Sequence, residues 1–121
     1  MNVNFMSENK KDIVDFDIIY NMLYNDMESV KEFVVASIDS FSEFKQHFEE
    51  SMKARDLEKL RNAGHKIKPV AQMLQLDEIL NIYEEAKDKL VFNASEPEIN
   101  STIKKMNTFC SQLLNEFEEF A

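Results

Sequence analysis

From residue 17 onward, apolar residues recur three and four positions apart, the spacing of helices that bury one face. Asp17 to Leu23 predicts a first short helix, ending near Asn25. Asp26 caps a second, with Met27, Val30, Phe33, Val34 and Ile38 on its stripe. Ser40 caps a third, which carries Phe41, Phe44, Phe48 and Met52 and reaches about Ala54. A fourth helix starts at Asp56 and runs through Leu57, Leu60, Ile67, Ala71 and Leu74. A fifth starts at Asp77, with Ile79, Leu80, Tyr83 and Leu90 facing inward. After a loop from Phe92 to Glu96, Pro97 at the first helical position opens a sixth helix, apolar at Ile103, Met106, Cys110, Leu113, Leu114 and Phe117. Short connections favour antiparallel neighbours. The expected fold is therefore all-α: an up-and-down four-helix bundle with one additional short N-terminal helix. A polar N-terminal tail over residues 1–11 is expected to precede a single domain over 12–121.

Composition supports the helical reading. One Gly and two Pro in 121 residues are too few for the tight turns of a strand-rich fold. Ten Phe and 44% hydrophobic residues supply a packed core and argue against disorder. A net charge of −9 repels phosphate backbones and anionic lipid, so neither nucleic acid nor a membrane is an expected partner. Cys110 is the chain's single cysteine, which removes internal disulfides and thiolate zinc sites and points to a reducing compartment. No apolar run has the length of a signal or membrane segment, so the expected location is cytoplasmic; a monomer is expected. The sequons Asn93-Ala94-Ser95 and Asn100-Ser101-Thr102 then read as chance matches.

The fourth helix breaks the pattern. It holds the chain's one Gly, one of its two His and one of its two Pro at Gly64, His65 and Pro69. Gly costs about 1 kcal/mol inside a helix and Pro about 3 kcal/mol, so a purely structural helix avoids both. Pro69 cannot donate to the carbonyl of His65, and a local bend is expected there. Around the helix, with Ile67 at zero, Leu60, Ala71 and Leu74 fall within roughly 40°, Leu57 and Gly64 within about 80°, and His65 at roughly 160°. The imidazole therefore faces water, beside Arg61, Lys68, Pro69, Gln72 and Leu76. Lys53, Arg55, Lys59, Arg61, Lys66 and Lys68, against Asp56 and Glu58, give residues 53–68 a net charge of +4 on a chain of −9. Such an island suits docking onto an acidic site and stabilising added negative charge. An exposed imidazole is a competent nucleophile.

The run Ala63-Gly64-His65-Lys66-Ile67-Lys68-Pro69 resembles the signature of histidine-containing phosphotransfer (HPt) domains: a small residue, His, any residue, an aliphatic residue, Lys, then usually Gly. The likeness extends from about Asp17 to Lys89, with Asp56-Leu57-Glu58 leading in, Leu74 and Leu76 following and Glu84 in the next helix. Pro69 stands where the family usually has Gly, and Gln75 where a second Gly is expected. Proline is compact and keeps clearance over the histidine.

The resemblance implies a phosphorelay intermediate that takes a phosphoryl group from one receiver-domain aspartate and passes it to another. It makes His65 the phosphoacceptor through Nε2 and Lys68 the cation that neutralises the phosphoryl oxygens. Gln72 is placed to donate a hydrogen bond. Arg61, Gly64, Lys66, Pro69, Met73 and Leu76 become the docking surface. Response-regulator receivers and a hybrid histidine kinase are the implied partners. The receiver brings the divalent metal, so no cofactor or metal is expected here, and the chain is not a kinase by itself. Glu84 or Lys87 of the following helix would orient the imidazole. The rival reading is a non-catalytic helical adaptor with the same fold.

The remaining chemistry-bearing residues read as structural. His47, beside the Phe41, Phe44, Phe48 stripe with Glu50 three residues on, reads as a boundary histidine. The two histidines share no carboxylate set suited to a metal. Val70 and Met73 belong either to the core edge or to a docking surface. Glu116, Glu118 and Glu119 read as a solvated helix face, and Cys110 as a small core residue.

Overall fold

The computed structural model describes residues 12–121, and the tail expected over 1–11 lies outside them. The described residues form five helices and no strand: α1 Phe16–Met22, α2 Met27–Ala54, α3 Leu57–Met73, α4 Asp77–Val91 and α5 Glu96–Phe120. None is long and apolar enough to cross a membrane.

Four of the five helices start where short polar side chains cap them, and α4, which follows Leu76, has no side-chain cap. Asp26 accepts the Ser29 N–H at 3.1 Å and its hydroxyl at 2.6 Å, contacts that hold its carboxyl below the ordinary range. Asp56 accepts the Lys59 N–H at 3.0 Å, and Ser95 the Glu98 N–H at 3.4 Å. Glu96 is thus the first residue of α5, and Pro97 follows it rather than leading. Left-handed residues stand in each of the later turns: Arg55 (φ 54°), Gln75 (φ 58°) and Asn93 (φ 54°). Gln75, where the HPt pattern expects Gly, therefore has the backbone that glycine adopts most easily.

The expected break at Ser40 is absent. α2 runs unbroken for 28 residues, and Ser40 is an exposed position within it. Buried Val30, Val34, Ser37, Phe41, Phe44 and Phe48 follow one another at steps of three and four, with no Gly or Pro between them. A serine in mid-helix costs only about 0.5 kcal/mol, far less than a continuous buried stripe contributes. The capping signal loses to packing.

α2 packs against α3 and α5, α3 against α4, and α4 against α5; α1 lies on α2. At 1.5 Å per residue α2 and α5 are roughly 40 Å long, and α3 and α4 roughly 25 Å. The long pair therefore overhangs the short pair, and aromatic residues fill the overhang. The Phe16 ring stacks on Phe120 at 4.9 Å and meets the edge of Phe117 at 6.2 Å, while Phe117 stacks on Phe41 at 6.0 Å. Glu116 accepts the N–H groups of Ile13 and Val14 at 2.9 and 2.7 Å, so it is a tie to the chain's start and not merely a solvated charge. Phe48, Met52, Met106 and Leu113 are fully buried in the middle. Cys110 is buried among them, and burial pushes its thiol up to about 12.

Candidate functional site

The face that α3 buries is the one its periodicity predicts: Leu60, Ala63, Gly64, Ile67 and Ala71 are inside. Because residue 65 is rotated away from that stripe, the imidazole of His65 is exposed, along with Arg61, Lys66, Pro69, Gln72 and Met73. Lys68 and Val70 are half-buried at the margin. His65 and Gln72 are thus exposed seven residues apart on α3, with Lys68 between them in the sequence and half-buried. Pro69 sits within the helix, one turn above His65.

Two residues of the expected docking surface are inside. Leu76 is 3% exposed because α3 ends at Met73 and the chain turns through left-handed Gln75. Extrapolating the helical rotation to residue 76 therefore put it on the wrong side. Gly64 is buried under α4, where the ring of Tyr83 occupies the space that a Cβ at Gly64 would fill. This close approach is the physical reason for glycine at 64. The spacing of α4 places Tyr83 inward without revealing its partner at Gly64; the sign of that contact in the sequence is a lone glycine inside an amphipathic helix.

Tyr83 is 5% exposed, and its burial raises the phenol pKa, opposed by the charges of Lys87 and Arg61. The Lys87 ammonium stands 4.9 Å from the Tyr83 ring centroid and pairs with Glu84 at 3.2 Å. The two residues expected to compete for orienting the imidazole are thus engaged with each other. Among the described residues neither makes a hydrogen bond or ion pair with His65.

The basic island is smaller than its sequence count. Lys53 pairs with Glu49 at 2.8 Å, Lys59 with Glu50 at 3.2 Å, and Arg55 donates to the Asn93 side chain at 3.1 Å. Arg61, Lys66 and Lys68 have no ion pair among the described residues. The uncommitted cations are therefore the three within four residues of His65, where an arriving anion meets no competing carboxylate partner. Lys66 also borders a cavity of about 140 Å³ between α2 and α3, lined by Ser40, Glu43 and the half-buried His47. A groove of about 700 Å³ lies between Leu76, Asp77 and the Lys104, Thr108 and Phe109 side of α5, and His65 does not line it. No group of three or more His, Cys, Asp or Glu suited to a metal occurs among the described residues.

No family model, curated protein or solved structure matches the chain. What the geometry offers by itself is one exposed nitrogen nucleophile with cations beside it on a convex helix face. That suits a reaction whose other half is supplied by a second macromolecule better than one carried out in a pocket.

Proposed function

We propose that this protein is a histidine phosphotransfer module of the HPt type, relaying a phosphoryl group between receiver-domain aspartates. The observation that carries the reading is His65, exposed in mid-α3 and flanked by Arg61, Lys66 and Lys68, none of them paired with a carboxylate among the described residues. On this reading the four longer helices form an up-and-down four-helix bundle, with α1 as the added short helix.

The lone pair of His65 Nε2 attacks the phosphorus of a receiver aspartyl phosphate. The N–P bond forms as the acyl phosphate P–O bond breaks, and the aspartate leaves as carboxylate. Lys68 neutralises the phosphoryl oxygens and Gln72 donates a hydrogen bond to them, while Nδ1 keeps its proton. The reverse step delivers the group to a second receiver. The divalent metal belongs to the receiver, and this chain holds no cofactor and has no kinase activity by itself. It acts as a cytoplasmic monomer. Arg61, Lys66, Pro69 and Met73 form the docking face for receivers and for a hybrid histidine kinase, and charge complementarity makes the encounter salt-sensitive.

Incubation with a phosphorylated receiver tests this against the adaptor alternative. The expected product is an acid-labile, base-stable phosphoryl adduct that disappears in His65→Gln and persists in His47→Gln. Binding without an adduct would leave the adaptor.

A further inference from the structure

The turn of α3 that carries His65 is weak by construction. Proline at 69 has no N–H, so the His65 carbonyl lacks the donor that a helix otherwise supplies four residues on. Its outer side gives no compensation: among the described residues no side-chain hydrogen bond or ion pair ties His65, Lys66 or Gln72 to another element, and all three are exposed. On the inner side the closest fit is at Gly64. There Cε1, Cζ and the hydroxyl of Tyr83 stand where a Cβ would be. Tyr83 is itself held, 5% exposed in the core with the Lys87 ammonium 4.9 Å from its ring centroid and Glu84 fixing that ammonium at 3.2 Å.

We propose that Tyr83 is a positioning residue for His65. By bearing on the backbone of the preceding residue, it keeps the proline-weakened turn helical. The imidazole and the Lys68 ammonium, three residues apart, then stay on one side of α3. Its effect on rate rests on the phosphotransfer reading; the clamp itself does not, and the two are measured separately.

The experiment compares wild type with Tyr83→Leu, which loses the reach to Gly64, and Tyr83→Phe, which keeps the ring. Hydrogen exchange reports on the amides of residues 66–68, and labelling of His65 by phosphoramidate reports on reactivity without a receiver. In that labelling Nε2 forms the new bond to phosphorus, the donor's P–N bond breaks, and ammonia leaves. Tyr83→Leu is expected to remain helical, to exchange those amides about tenfold faster relative to α5, and to label roughly tenfold more slowly. Tyr83→Phe is expected to restore both. Gly64→Ala, which pushes the ring away from the other side, is expected to behave like Tyr83→Leu and serves if the latter does not fold. Unchanged local exchange in Tyr83→Leu and Gly64→Ala, with labelling at the wild-type rate, overturns the clamp. Faster local exchange in a protein whose wild type takes no phosphoryl at His65 supports the clamp and sinks the phosphotransfer reading.

Discussion

The two histidines occupy helices that pack against each other, yet their settings differ in every respect that bears on reactivity. His47 lies in the unbroken α2, half-buried beside Phe44 and Phe48, and its carbonyl accepts an extra hydrogen bond from the Ser51 hydroxyl. Its charged neighbours are Glu43 and Glu50 on its own helix and Lys66 across the cavity between α2 and α3, and Glu50 is already engaged by Gln46 at 3.0 Å and Lys59 at 3.2 Å. His65 is exposed, its carbonyl is deprived of a donor by Pro69, and the charges within four residues of it along α3 are Arg61, Lys66 and Lys68, without an ion pair among the described residues. Residue type is the same; what differs is backbone support and the balance of the surrounding charge, mixed about His47 and cationic along α3 about His65. A histidine becomes a phosphoacceptor candidate through those two conditions together.

The contrast is broken most directly by exchange. His65→Gln is expected to abolish phosphoryl acceptance, and His47→Gln to leave the rate within about twofold, since only the first removes the exposed nucleophile. Adduct formation at position 47 in the His65→Gln protein would erase the distinction.

Next in size is the charge setting. Removing one charge-assisted contact typically costs about 1.5–3 kcal/mol, so Lys68→Ala should slow transfer by roughly tenfold or more. Lys53→Ala, which removes a cation already paired with Glu49, should change it little. Equal effects in single-turnover measurements would show that only total charge counts.

Backbone support is sharpened by Gly64→Ala. In most helix interiors this change stabilises by about 1 kcal/mol, but overpacking a filled core costs about 1–3 kcal/mol. With the Tyr83 ring in the way, a net loss in denaturant unfolding is expected. A gain would mean that the ring moves aside freely.

The smallest effect is in the acid limb. Glu85 is held below its ordinary 4.5 first by the Lys105 hydrogen bond, and Glu49 by that of Lys53. A lowered folded-state pKa gives stability that is present above the unfolded value and lost as pH falls through the folded one. Unfolding midpoints should therefore decline below about pH 4.5, and less steeply in Glu85→Gln. These carboxylates lie at the surface, where such pairs are worth at most about 1 kcal/mol, so the difference between the two acid limbs should be small. Identical acid limbs would remove Glu85 from the explanation.

Much of this was legible in the chain. The apolar period marked every helix, and the stripe of α3 placed His65 outside and Ile67 inside. Four features were not legible, each because a distant contact or a competing local preference decides it. Ser40 resembles a cap, but nothing local reveals that the stripe on either side shares one face. Leu76 follows the helical rotation only if the helix persists, and α3 stops three residues earlier. The sequence count of positive charge could not show that Lys53, Arg55 and Lys59 are occupied by Glu49, Asn93 and Glu50. Gly64 announced a close approach without naming what approaches.

The seven-residue α1 seals the overhang of the two long helices, lying on α2 and laying its rings on Phe117 and Phe120 of α5. Overall robustness can therefore be retuned at that plug by swapping one apolar side chain for another, while the exposed face of α3 stays untouched. That end of the molecule offers a lever on durability apart from the Tyr83–Gly64 contact, which bears on stability and on the His65 turn together.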